Sequence, residues 1–153
     1  MGAMAPLFTI GYEQATSANV IGELKRHGVG LIVDTRAVAA SRRPGFSKRQ
    51  LAAGLDEAGI GYLHLQKLGS PKEGREAARA GNLAKLFDIY EKQLATSGAR
   101  EQLDELTSIV QSGQPVCLLC YERHVDHCHR KRLAELICER TDVEVEHLAA
   151  PLY

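Results

Sequence analysis

The chain has 153 residues, 44% hydrophobic and 25% charged, with 19 Lys and Arg against 19 Asp and Glu. That length suits one domain with one core, and the composition excludes disordered, collagenous and coiled-coil chains. Zero formal net charge argues against a protein held to nucleic acid by bulk charge, and no apolar run approaches the roughly 20 residues needed to span a bilayer.

Met1-Gly2-Ala3-Met4 reads as an expression scar, which leaves residues 5–153 as a single domain. The start lacks the charged, apolar and small-residue succession of a signal peptide. The expectation is therefore a cytoplasmic protein whose four cysteines are reduced.

Leu7-Phe8-Thr9-Ile10-Gly11 predicts a first strand. Ser17 is the expected cap of a helix to about His27, with Gly28 as the stop. Leu31-Ile32-Val33-Asp34 has the β-branched content of a buried strand. A basic loop follows, and Ser47 to Gln50 fits a capping box that opens a helix ending near Gly59. Gly61 to Leu65 is the third strand, and Gln66 to Arg75 reads as a polar loop.

Leu83, Leu86, Phe87, Tyr90 and Leu94 recur at helical spacing up to Gly98. Leu103, Leu106, Ile109 and Val110 predict a further helix ending at Gly113. Pro115 to Cys120 is the fourth strand, Asp126 to about Arg140 a helix, and the alternating Val143 to His147 a last strand. This order predicts an α/β fold: one three-layer domain with a mainly parallel five-stranded sheet and helices on both faces.

In such sheets ligands bind beyond the carboxyl ends of the strands. Tyr12, Asp34 with Arg36, and Cys120 with Glu122 fall at those ends. Period-2 alternation puts Cys120 and Glu122 on one face and Cys117 on the other. Cys128 is expected in the first turn of the following helix, where free N–H groups and the cations Arg130, Lys131 and Arg132 favour a thiolate. Cys138 reads as core, His27 and His147 as surface or strand-face residues, and His64 as either core or pocket.

Cys117, Cys120, His124 and Cys128 are also zinc ligand types. The expectation is no cofactor, with zinc on Cys120, His124 and Cys128 as the alternative. The loop from Arg36 to Gln50 holds Arg36, Arg42, Arg43, Lys48 and Arg49 and no acid. It reads either as a solvated loop or as an anion clamp. Asp34 is an acid–base candidate or the partner that holds Arg36.

Several motifs together resemble the domain of unknown function 488 family. They are Thr9-Ile10-Gly11-Tyr12, Val33-Asp34-Thr35-Arg36, Ser41-Arg42-Arg43-Pro44-Gly45-Phe46, Gly59-Ile60-Gly61-Tyr62 with Leu68-Gly69, and Cys120-Tyr121-Glu122 with Cys128-His129-Arg130. The resemblance implies an α/β fold and a shared site of Asp34, Arg36, Arg42, Cys120, Glu122, Cys128, His129 and Arg130. It implies no activity.

The reading that follows is an enzyme acting on a small anionic molecule, a phosphate or a nucleotide-like substrate. Cys120, Glu122, Cys128 and His129 are its catalytic candidates, and Asp34, Arg36, Arg42, Arg130 and Tyr12 its substrate-binding candidates. The alternatives are a metal- or redox-responsive binding protein without turnover, and a nucleic-acid binder using the basic loop. The last is disfavoured by net charge and by only 5 Tyr, 3 Phe and no Trp for base stacking.

Overall fold

In the computed structural model, which describes residues 5–152, five strands form one all-parallel sheet. They are β1 (Leu7–Gly11), β2 (Leu31–Asp34), β3 (Gly61–His64), β4 (Val116–Cys120) and β5 (Val145–Leu148), in the spatial order β3-β2-β4-β1-β5. Met1 to Met4, read as an expression scar, lie outside the described residues, as does Tyr153. β1 and β4 are buried along their whole length, and β3 and β5 close the sheet as edges. A parallel strand covered on both faces must be apolar on both, which is why Val116 to Cys120 carries no polar position.

Helices α1 (Ser17–Arg26) and α2 (Lys48–Glu57) cover one face, with Val20, Leu24, Leu51 and Leu55 in one core with Phe8, Ile10, Ile32, Cys117 and Leu119. After α3 (Lys72–Arg79) come α4 (Leu83–Leu94), α5 (Ser97–Gln111) and α6 (Arg130–Thr141). These last three pack Tyr90, Leu103, Leu106, Leu133 and Ile137 with Leu7, Val33 and Leu118 in a second core on the opposite face. The helix leaving β4 therefore lies on the opposite face from those leaving its neighbours β1 and β2. Such a reversal opens a crevice at the strand ends, and β4 stands in the middle of it. Among the described residues no helix is long and apolar enough to cross a membrane.

Five local expectations change. Thr16, not Ser17, caps α1, its Oγ1 accepting the Asn19 N–H at 3.1 Å. Ser47 does precede α2, but no capping box forms: its hydroxyl bonds the Ser41 backbone, and Gln50 accepts from the Gly45 N–H. The polar stretch from Gln66 to Arg75 holds a 3-10 turn (Gln66–Leu68) and the start of α3, which buries only Gly74 and Ala77 and so shows no large apolar stripe. Finally, a 3-10 turn (Val125–His127) occupies the start of the last expected helix, and α6 begins at Arg130. β5 likewise starts two residues later than its alternation suggests and ends one later, at Leu148.

Candidate functional site

Two buried guanidinium groups organise the strand ends. Arg36 follows β2 and turns back on Asp34. Its Nε–H donates to Asp34 Oδ1 at 2.9 Å and its other arm to Oδ2 at 2.8 Å. The Arg36 N–H and the Tyr62 hydroxyl also donate to this carboxylate, which is wholly buried. Arg36 donates further to the Phe46 carbonyl at 2.7 Å and the Tyr12 hydroxyl at 3.2 Å. Burial pulls the Arg36 guanidinium down, but the Asp34 hydrogen bonds and charge outweigh it and its pKa is raised. Burial, then the bond to Asp34, pushes the Tyr62 phenol up as well. Asp34 thus holds Arg36, the simpler of the two roles the sequence leaves open for it.

Arg130, from the first turn of α6, is 1% exposed and is met differently. Its Nε–H donates to Thr9 Oγ1 at 3.2 Å, one arm to Cys120 Sγ at 3.0 Å and to the Glu122 carbonyl, and the other arm to the Arg123 carbonyl at 3.1 Å. Among the described residues no carboxylate lies within ion-pair distance of it. Burial lowers its pKa to about 10, so it is still a cation at neutral pH. A buried charge without a counter-charge costs several kcal/mol. In the reduced protein the Cys120 sulfur in contact with it can become an anion.

The Thr9-Ile10-Gly11-Tyr12 motif serves these two groups. Thr9 Oγ1 accepts from Arg130 and also shares a hydrogen bond with His147 Nδ1 at 2.6 Å. A Cβ at Gly11 would fall on the Glu122 carbonyl and within 3.0 Å of Arg130. Only glycine lets that carbonyl reach the guanidinium. Tyr12 stacks on Phe46 with ring centroids 4.3 Å apart and presents its hydroxyl to Arg36.

The Cys120 and Cys128 sulfurs touch as a disulfide pair. Of the four cysteines expected to be reduced, Cys117 and Cys138 are free. Cys128 does not stand in a helical turn. It is extended, ends the Val125–His127 turn and precedes the His129 cap of α6. The Arg130 backbone N–H still reaches its sulfur, at 3.5 Å. Of the three cations expected to surround it, only Arg130 does so; Lys131 pairs with Asp126 and Arg132 with Glu91.

His129 lies buried between Cys128 and the end of β2. Its Nε2 faces the Thr35 carbonyl at 3.0 Å, and a carbonyl can only accept, so Nε2 carries the hydrogen. Nδ1 is then the acceptor, 3.8 Å from Cys128 Sγ. Burial drives the imidazole pKa down to about 4, so the ring is neutral at pH 7.

A cavity of about 180 Å³ opens over these sulfurs, lined by Tyr12, Arg36, Cys120, Glu122, Cys128 and His129 among the expected residues. Asp34 and Arg130 are not among its lining residues. Arg42 is exposed on its loop and does not line the cavity. Arg43 from the same loop is turned inward, donating to the Ala15 carbonyl at 2.6 Å. Besides Arg36, the cations at the cavity are Arg75 and Arg79 of α3, with His127 beside them. Their spacing of four residues places them on one helix face, and that was the available signal. Glu122 is half-buried; burial, then the neighbouring Glu13 charge, raises its pKa above the usual carboxylate range.

Cys117 lies in the opposite core from the Cys120 sulfur and its pKa is raised by burial. Cys138 is half-buried rather than core. His147, read as free of chemistry, hydrogen-bonds the Thr9 hydroxyl, and His64 Nε2 donates to the Arg36 carbonyl at 2.7 Å. His124 faces His127, with ring centroids 5.7 Å apart. Among the described residues no three His, Cys, Asp or Glu side chains converge as a metal ligand set. The donors proposed for zinc do not fit it here, since Cys120 and Cys128 engage each other. Residues 16–137 match the family model described as Domain of unknown function DUF488. No curated protein and no solved structure matches the chain.

Proposed function

We propose an enzymatic function for this chain, which belongs to the DUF488 family: covalent catalysis on a small anionic substrate, with Cys120 as the nucleophile. The observation that carries the reading is the buried Arg130 cation, which lacks a carboxylate and donates to Cys120 Sγ at 3.0 Å. A guanidinium at that distance favours thiolate over thiol, and the thiolate is the nucleophile. Glu122, whose carboxyl holds its proton to higher pH than usual, is the proton donor for a leaving group. Arg75 and Arg79 hold the substrate's negative charge.

The cavity, about 180 Å³, is smaller than the roughly 300 Å³ at which drug-sized pockets begin. A phosphate or small carboxylate fits within it, and a nucleotide enters by its phosphate end. The test uses two alkylating agents of similar size on the reduced protein at pH 7, anionic iodoacetate and neutral iodoacetamide. Cys120 is expected to label faster than Cys138 and to favour iodoacetate more than Cys138 does, a preference that falls in Arg79→Gln. Labelling of Cys120 no faster than Cys138 removes the nucleophile, and the absence of an iodoacetate preference removes the anionic substrate.

A further inference from the structure

We infer that Cys120 and Cys128 form a working redox couple: hydroperoxides oxidise Cys120, Cys128 resolves the product as a disulfide, and an external dithiol restores the site. The inference rests on the reading of Cys120 as a thiolate and adds the regulation of that same centre. Three independent features carry it. The two sulfurs touch, eight residues apart in the chain. Each has its own polar neighbour: the Arg130 guanidinium on Cys120, and the His129 Nδ1 with the Arg130 backbone N–H on Cys128. Both line the cavity by which a small oxidant arrives.

The chemistry closes with a hydroperoxide as oxidant. The Cys120 thiolate attacks one peroxide oxygen, the O–O bond breaks, and hydroxide leaves and is protonated to water by solvent. Cys120 is then a sulfenic acid, a species that condenses with a nearby thiol. The Cys128 sulfur attacks Cys120 Sγ. The S–O bond breaks as the S–S bond forms, and the departing hydroxide takes the Cys128 proton as a second water. Two thiols are oxidised, and one hydrogen peroxide becomes two waters. Thiol–disulfide exchange with a dithiol reverses the cross-link.

Arg130 also biases the couple. In the disulfide the guanidinium faces no anion, whereas reduction returns the Cys120 thiolate as its counter-charge. A stabilised reduced form makes a disulfide readily reducible. The oxidised site has no free nucleophile, so the cycle turns the proposed activity off and on.

The test treats reduced full-length protein with one equivalent of hydrogen peroxide in the presence of dimedone, which traps sulfenic acids, and maps the peptides by mass spectrometry. The wild type is expected to show a Cys120–Cys128 disulfide, removed by dithiothreitol, and little dimedone at Cys120. Cys128→Ser is expected to raise the Cys120 dimedone adduct by about tenfold, and Cys128→Ala gives the same readout without a hydroxyl at the buried position. Equal adduct in wild type and variant, with no disulfide, overturns the resolving step while leaving Cys120 as nucleophile. Neither adduct nor disulfide at Cys120 overturns both.

Discussion

Arg36 and Arg130 are alike in everything except what neutralises them. Both are buried, both stand at the carboxyl ends of adjacent strands, and both donate to backbone carbonyls. Arg36 meets a carboxylate through two parallel hydrogen bonds, the geometry in which a buried ion pair is satisfied. Its charge is spent inside the protein, and it braces β2 against the Phe46 loop. Arg130 meets a hydroxyl, two carbonyls and a sulfur. Its charge leaves an electrostatic demand that, on the proposed function, an ionised cysteine answers. A buried arginine with a carboxylate is therefore architecture; on the proposed function, one without is a means of activating a neighbour.

The largest effect is expected from removing the carboxylate. Asp34→Asn leaves Arg36 buried without its counter-charge and should cost about 3–5 kcal/mol in chemical denaturation. The alkylation rate of Cys120 in the folded fraction should hardly move. A loss below about 1 kcal/mol would show that the two arginines differ less than their partners suggest.

The reciprocal change sharpens the contrast. Arg130→Met removes a buried cation that has no ion pair, so its stability loss should be smaller than that of Asp34→Asn. Cys120 alkylation at pH 7 should instead fall by about tenfold or more, because the thiolate loses its donor. Unchanged alkylation with a large stability loss would make Arg130 as structural as Arg36.

The smallest effect concerns His129. In the folded protein it takes a proton only near pH 4, whereas in the unfolded chain it does so near 6.5. Its contribution to stability is full above about 6.5 and is lost as pH falls through about 4. His129→Gln should flatten that part of the stability curve, read as denaturation midpoints at pH 7, 5.5 and 4. A variant curve parallel to the wild type would mean that the histidine takes its proton alike in the folded and unfolded chain.

Local pattern alone determined a good deal of this protein. The β-branched and apolar runs at Leu7, Leu31 and Val116 specify buried parallel strands, since only a strand covered on both faces needs apolar residues at successive positions. Period-2 geometry separated Cys120 from Cys117, and the short Cys-x-Glu and Cys-His-Arg motifs held most of the cavity's chemistry. What only the tertiary structure decided is which of many charges faces which group. Five basic residues between Arg36 and Gln50 look equivalent in the chain, yet Arg36 and Arg43 turn inward while Arg42 stays in solvent. Among Arg130, Lys131 and Arg132, the 3-10 turn ahead of α6 sets the helix phase that aims Arg130 alone at the sulfurs. α3 was hidden because its buried side is made of Gly74 and Ala77, and with it Arg75 and Arg79 were missed. Periodicity records which face of an element is apolar; the partner of a buried charge is set by contacts between residues such as Thr9, Cys120 and Arg130, more than a hundred positions apart from first to last.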